Sequence, residues 1–162
     1  MVSAAATIAG CGASTTAVRS TPTPTPTDVA GAERSALGLF LVDPTVPGHW
    51  VACSASDNWD ACPLTSEIKA RLADLTNSGY FASADGCPEE YISGTQTGLG
   101  TAPRVLSGVA ESDGSVTVVI KREGSTPNLT VVMSMEGDAW LASELASGTG
   151  PSASIFSAEP NC

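Results

Sequence analysis

From residue 104 onward the chain stops repeating with a helical period and alternates apolar with polar residues, and this change most constrains its fold. The runs 104–111, 115–122, 128–135 and 139–144 each predict a strand of ordinary length. Asp113-Gly114 is a hairpin signal between the first two, because such turns demand positive φ. Residues 124–127 make a longer turn, and Glu136-Gly137-Asp138 a tight one. Connections this short leave no room for a parallel crossover, so the strands form an antiparallel meander. Within it Val116, Val118 and Ile120 share one face, and Leu129, Val131, Met133 and Met135 share another. A further short strand is expected near 90–96.

The first half reads differently. Residues 32–41 predict a helix, with Ala36, Leu37, Phe40 and Leu41 on one face and Asp43-Pro44 as its stop. Residues 49–53, after Pro47-Gly48, predict a short second helical turn carrying Trp50. Pro63 opens the clearest helix: Leu64, Ile68, Leu72 and Leu75 repeat on one side, and Asn77 and Gly79 end it. Helices first and a meander after is an α+β order.

The N-terminus carries a different signal. Ile8-Ala9-Gly10-Cys11 follows a short apolar run and resembles the lipobox of bacterial lipoproteins. That resemblance implies a signal peptide at 1–10, cleavage before Cys11, and diacylglycerol on its sulfur, with palmitate-type chains holding the protein in the bilayer. Met1 to Thr7 contain no Lys or Arg, so the leader is read as incomplete. Residues 11–31 are expected to form a tether: alternating Thr and Pro from Thr21 to Thr27 fix φ and remove amide donors. Such a stretch reaches roughly 3 Å per residue. The globular domain is then 32–162, on the extracytoplasmic face of the cell membrane.

An exported domain of this kind would oxidise its cysteines. Cys53, Cys62, Cys87 and Cys162 make an even number, which permits two disulfides in three connectivities. Cys53 and Cys62 bracket a short polar loop and can pair locally, which would leave Cys87 to Cys162. No C-x2-C pair exists and His49 is the single histidine, so no zinc site and no cofactor is expected. With 7 Lys and Arg against 17 Asp and Glu, the net charge of −10 disfavours nucleic acid and anionic head groups as direct partners.

Residues 32–147 also resemble the nuclear-transport-factor-2-like cone superfamily, typified by ketosteroid isomerase. The resemblance rests on the helix start Cys62-Pro63-Leu64-Thr65 and on Gly137-Asp138-Ala139-Trp140-Leu141. It implies three N-terminal helices on a curved antiparallel sheet of four to five strands, with a ligand-sized mouth between them. A cystatin-like fold is the alternative.

Few residues suggest chemistry. His49 could act as a base only with a carboxylate such as Asp43 or Asp57 within reach. Asp57-Asn58-Trp59-Asp60 lacks the regular ligand spacing of a calcium loop. Trp50, Trp59 and Tyr80 are candidates, with His49, to line a pocket or contact surface, whereas Trp140 within a strand is expected in the core. The expectation is a non-enzymatic binding or interaction module of the cell envelope, meeting an envelope protein or a small apolar ligand. The alternative is a small enzyme with His49 and a nearby Asp as acid and base.

Overall fold

The computed structural model describes residues 28–54, 59–82, 91–95 and 97–160. Its elements run α1 (Val29–Leu37), β1 (Phe40–Val42), β2 (Trp50–Ala52), α2 (Ser66–Asn77), β3 (Arg104–Ala110), β4 (Val116–Lys121), β5 (Leu129–Glu136) and β6 (Ala139–Ser147). Short 3-10 turns at Trp59–Ala61 and Tyr80–Ala82 flank α2. The fold is α+β, with one two-stranded and one four-stranded antiparallel sheet. Residues 8–11, the tether up to 27, Asp57, Cys87 and Cys162 lie outside the described residues.

The meander follows the alternation. β3, β4, β5 and β6 pair in sequence order, and Val116, Val118, Ile120, Leu129, Val131 and Met133 all point into one core. Trp140, Ala142 and Leu145 join them from β6. Met135 departs from the expected pattern. It continues the core-facing parity but lies next to the β5–β6 turn and is about half exposed.

Helix α1 lies across this face, touching all four strands. Asp28 caps it, its Oδ1 accepting from the Gly31 amide at 2.8 Å. Ala32 and Ala36 give it a small-residue face that admits close packing, and Ser35 Oγ donates to the Trp140 carbonyl at 2.6 Å. Gly108 of β3 is part of the same fit: a Cβ there would come within 2.9 Å of Val29 Cγ1. Helix α2 starts after Thr65, whose hydroxyl caps the Ile68 amide, and buries Ile68, Leu72 and Leu75.

The first half corrects three expectations. The helix expected over 32–41 ends at Leu37, because Gly38 closes it by donating to the Arg34 and Ser35 carbonyls. Phe40 is buried as a strand residue, and Leu41 then points outward. The helical turn expected at 49–53 is strand β2, paired with β1 as Phe40↔Ala52, Leu41↔Val51 and Val42↔Trp50. Two α-helices, not three, are therefore present among the described residues. Residues 91–94 form turns where a strand was expected.

A buried arginine organises that turn. Arg122 continues the inward parity of β4 and is only 2 % exposed. Its Nε donates to the Pro127 carbonyl at 2.7 Å, and Nη1 to the Tyr91 and Ile92 carbonyls at 3.0 and 3.2 Å. Nη2 donates to Ser147 Oγ at 2.7 Å. The Tyr91 hydroxyl donates to the Ala153 carbonyl at 2.6 Å, so one network joins β4, β6, the 91–95 turn and the C-terminal segment. Arg71 of α2 holds that segment too, through the Ile155 and Ser157 carbonyls at 3.0 and 2.6 Å.

Candidate interaction site

The residues singled out at 49 and 50 belong to the β1–β2 hairpin, and the hairpin as a whole is the candidate site. Its tip is built from Asp43, which begins an Asx turn. Asp43 Oδ1 accepts from the Thr45 amide at 2.7 Å, the Thr45 hydroxyl at 2.6 Å and the Val46 amide at 3.3 Å. The Asp43 amide then donates to the His49 carbonyl at 2.9 Å, closing the turn. Hydrogen bonds from Thr45, chiefly from its hydroxyl, hold the Asp43 carboxyl below its ordinary range.

The root of the hairpin is fixed from three sides. Phe40 and Ala52 enter the core. Trp50 exchanges both backbone bonds with Leu99, at 2.8 and 2.7 Å, which adds a one-residue ladder on the far side of β2. Gly98 permits this approach: it has φ +80°, and a Cβ on it would meet the Trp50 carbonyl oxygen at 2.7 Å. The third constraint is covalent. Cys53, one residue past β2, is disulfide-bonded to Cys62, just before α2, with Cα atoms 5.4 Å apart. A two-stranded ribbon alone is marginal in water, so these attachments hold the root while the turn residues 44–48 stay exposed.

What the tip presents is apolar. Leu41, Val42 and Val46 are exposed, Val42 by 57 %, and Pro44 and Pro47 are exposed beside them. Leu41 and Val42, successive in β1, point to opposite faces of the ribbon, so with Val46 near the turn they make the hairpin a ridge that is apolar on both sides. The segment contains no Lys or Arg, and its one carboxylate is engaged in the turn.

The structure separates the other candidates. His49 and Trp50 are half-buried on the hairpin, with Trp50 packed against the core. Trp59 opens the 3-10 turn that leads into Cys62 and packs, partly buried, against the core. Tyr80 follows α2, meets Phe81 edge-on at 6.0 Å between ring centroids, and donates from its hydroxyl to the Pro160 carbonyl at 2.9 Å. That bond ties Tyr80 to the C-terminal segment. The Asp43 carboxylate is spent on its turn and held in the ionised form, a poor setting for a general base at neutral pH.

A concavity of about 660 Å³ lies at one end of β4, β5 and β6, lined by Val119, Pro127, Asn128, Thr130, Ser147, Gly148 and Thr149. Val119 and Thr130 face away from the core, so this groove opens on the side of the sheet opposite α1, not in a mouth beneath the helices. Among the described residues no group of three or more His, Cys, Asp or Glu gathers as a metal site would need, and no helix is long and apolar enough to cross a membrane.

Sequence reasoning missed the ridge because Leu41 fits helical spacing. The available signal was the pairing of β-branched Val42, Val46 and Val51 with turn residues Asp43-Pro44 and Pro47-Gly48. The chain matches no protein-family model, no curated protein and no solved structure.

Proposed function

We propose that this chain is an exported interaction module, lipid-anchored through Cys11 on the extracytoplasmic face of the cell membrane, that binds an envelope protein through the β1–β2 ridge. One observation carries the reading: the Cys53–Cys62 disulfide fastens the root of a hairpin whose tip exposes Leu41, Val42 and Val46. Disulfides persist in oxidising compartments, which agrees with export and with the lipobox-like Ile8-Ala9-Gly10-Cys11. A fixed apolar ridge suits a protein partner, because little ordering entropy remains to be lost on binding. The cone architecture belongs to the same reading. Helix α1 on the sheet and the order of helices before meander support it, with the β1–β2 hairpin in the place of a middle helix.

Two measurements test this. Cys11→Ala should move the protein from the membrane to the soluble fraction and remove the lipid mass from the mature chain. Retention in the membrane with unchanged mass would reject the anchor. Pull-down from envelope extracts with wild type and with Val42→Asp/Val46→Asp should recover a protein that the variant loses. Equal recovery by a folded variant would reject the ridge.

A further inference from the structure

We infer that β3 is an assembly edge, and that it pairs antiparallel with β3 of a second copy of this chain about a twofold axis through Gly108. The two edges of the large sheet are treated differently by the fold. Beyond β6, residues 63–65 and 153–155 cover the edge. Ala142 exchanges bonds with Pro63 and Thr65 at 2.8 and 2.9 Å, the Ser147 amide donates to Ala153, and the Ile155 amide donates to Leu145, both at 2.8 Å. Beyond β3 nothing comparable occurs: among the described residues, no backbone bond other than those to β4 reaches 104–110. An uncovered edge offers a row of unpaired amides and carbonyls to another strand.

The side chains say which strand. Val105, Gly108 and Ala110 lie opposite the buried Ile120, Val118 and Val116, so they face the core side. Arg104 lies opposite Lys121 on the outer face, as do Ser107 and Val109 opposite Val119 and Thr117. The register slips between Val105 and Ser107, so Leu106 and Ser107 together occupy one position on that face. Glu111 continues the outer face, where its carboxylate accepts from the Thr117 hydroxyl at 2.8 Å.

Counted this way, the strand is self-complementary when reversed. Gly108 meets Gly108, Leu106 and Ser107 meet Val109, Val105 meets Ala110, and Arg104 meets Glu111, each pair on a matching face. Leu106 and Val109, the exposed large apolar residues of β3, would cover each other. The Arg104 guanidinium has no hydrogen-bond or ion-pair partner among the described residues, and the pairing gives it the Glu111 carboxylate of the other copy, a contact that the twofold makes twice. A slip by two positions breaks both ion pairs and exposes the apolar ones. A net charge of −10 on each copy opposes self-association in general, and at β3 the two Arg104–Glu111 contacts offset that repulsion locally.

Sedimentation equilibrium of the full chain carrying Cys11→Ala, with disulfides oxidised, tests the pairing over about 1–500 μM. The expected result is a reversible species of twice the chain mass. Arg104→Glu and Glu111→Arg should each weaken it by roughly tenfold, since two opposite-charge contacts become two like-charge ones. The double swap should restore it, and Leu106→Lys should abolish it, with circular dichroism unchanged throughout. Wild type at the mass of one chain across the range overturns the inference. So does a dimer indifferent to the single swaps, or one the double swap fails to rescue.

Discussion

Replacing Arg122 by methionine isolates the buried network, because the new side chain keeps a long apolar stem and loses every donor. Arg122 gives at least four hydrogen bonds, to the carbonyls of Pro127, Tyr91 and Ile92 and to Ser147 Oγ. Burying the guanidinium is costly, so removing it returns part of that free energy, but its acceptors are then left buried without a charged donor. Breaking a buried charged network from one side costs about 3–5 kcal/mol. Urea unfolding followed by tryptophan fluorescence should show the midpoint falling by about 2 M, for a slope near 2 kcal/mol/M. Thermal melting should fall by roughly 10–20 °C for a domain of this size. Arg122→Lys keeps the charge but has no planar fork to span the acceptors, and should lie between. Residues 91–95 should also become accessible to protease before the sheet does. If Arg122→Met unfolds within about 0.5 M urea of wild type, the network does not stabilise the fold and the reasoning is wrong.

Two further outcomes follow from the same structure. Cys53→Ala/Cys62→Ala should lose about 2.5 kcal/mol from loop closure over nine residues, plus a smaller packing loss, measured by urea unfolding; a change below about 1 kcal/mol would show that the hairpin root is held without it. Burial first, with a lesser effect from Glu144, raises the Tyr91 hydroxyl well above its usual value, and the neutral form is the one the fold favours. That contribution is complete below about pH 10 and is lost as pH rises further toward the folded value. Absorbance at 295 nm should therefore show Tyr91 ionising only as circular dichroism is lost, and a phenolate in the intact fold would contradict this.

The meander was legible because its information is local. Alternation and short turns placed all four strands within three residues of their bounds, and Asp113-Gly114 marked the first connection. Cys53 and Cys62 could be seen to close a short loop, and they do. The first half was less legible because its strands are defined by distant partners. Residues 49–53 become extended through Phe40 to Val42 on one side and Leu99 on the other, and neither contact is visible in the segment itself. Leu41 satisfied a helical spacing that Gly38 had already ended. Arg122 fitted the inward alternation of β4, but a charged residue at a strand end reads as solvent-facing unless its acceptors are known.

The covering of β6 by residues 63–65 and 153–155 has a consequence for how large any assembly can become. A sheet open at both edges can add strands without end, which is the geometry of a filament. Here the same chain that makes the last strand also closes it off, so growth is possible in one direction only. Among the described residues, a second copy that pairs with β3 brings the same edge of its own large sheet, and the other edge of each sheet is covered at residues 142, 145 and 147. Growth through the large sheet would stop at a closed pair, with residues 153–155 acting as a terminator of polymerisation as well as a brace for the fold.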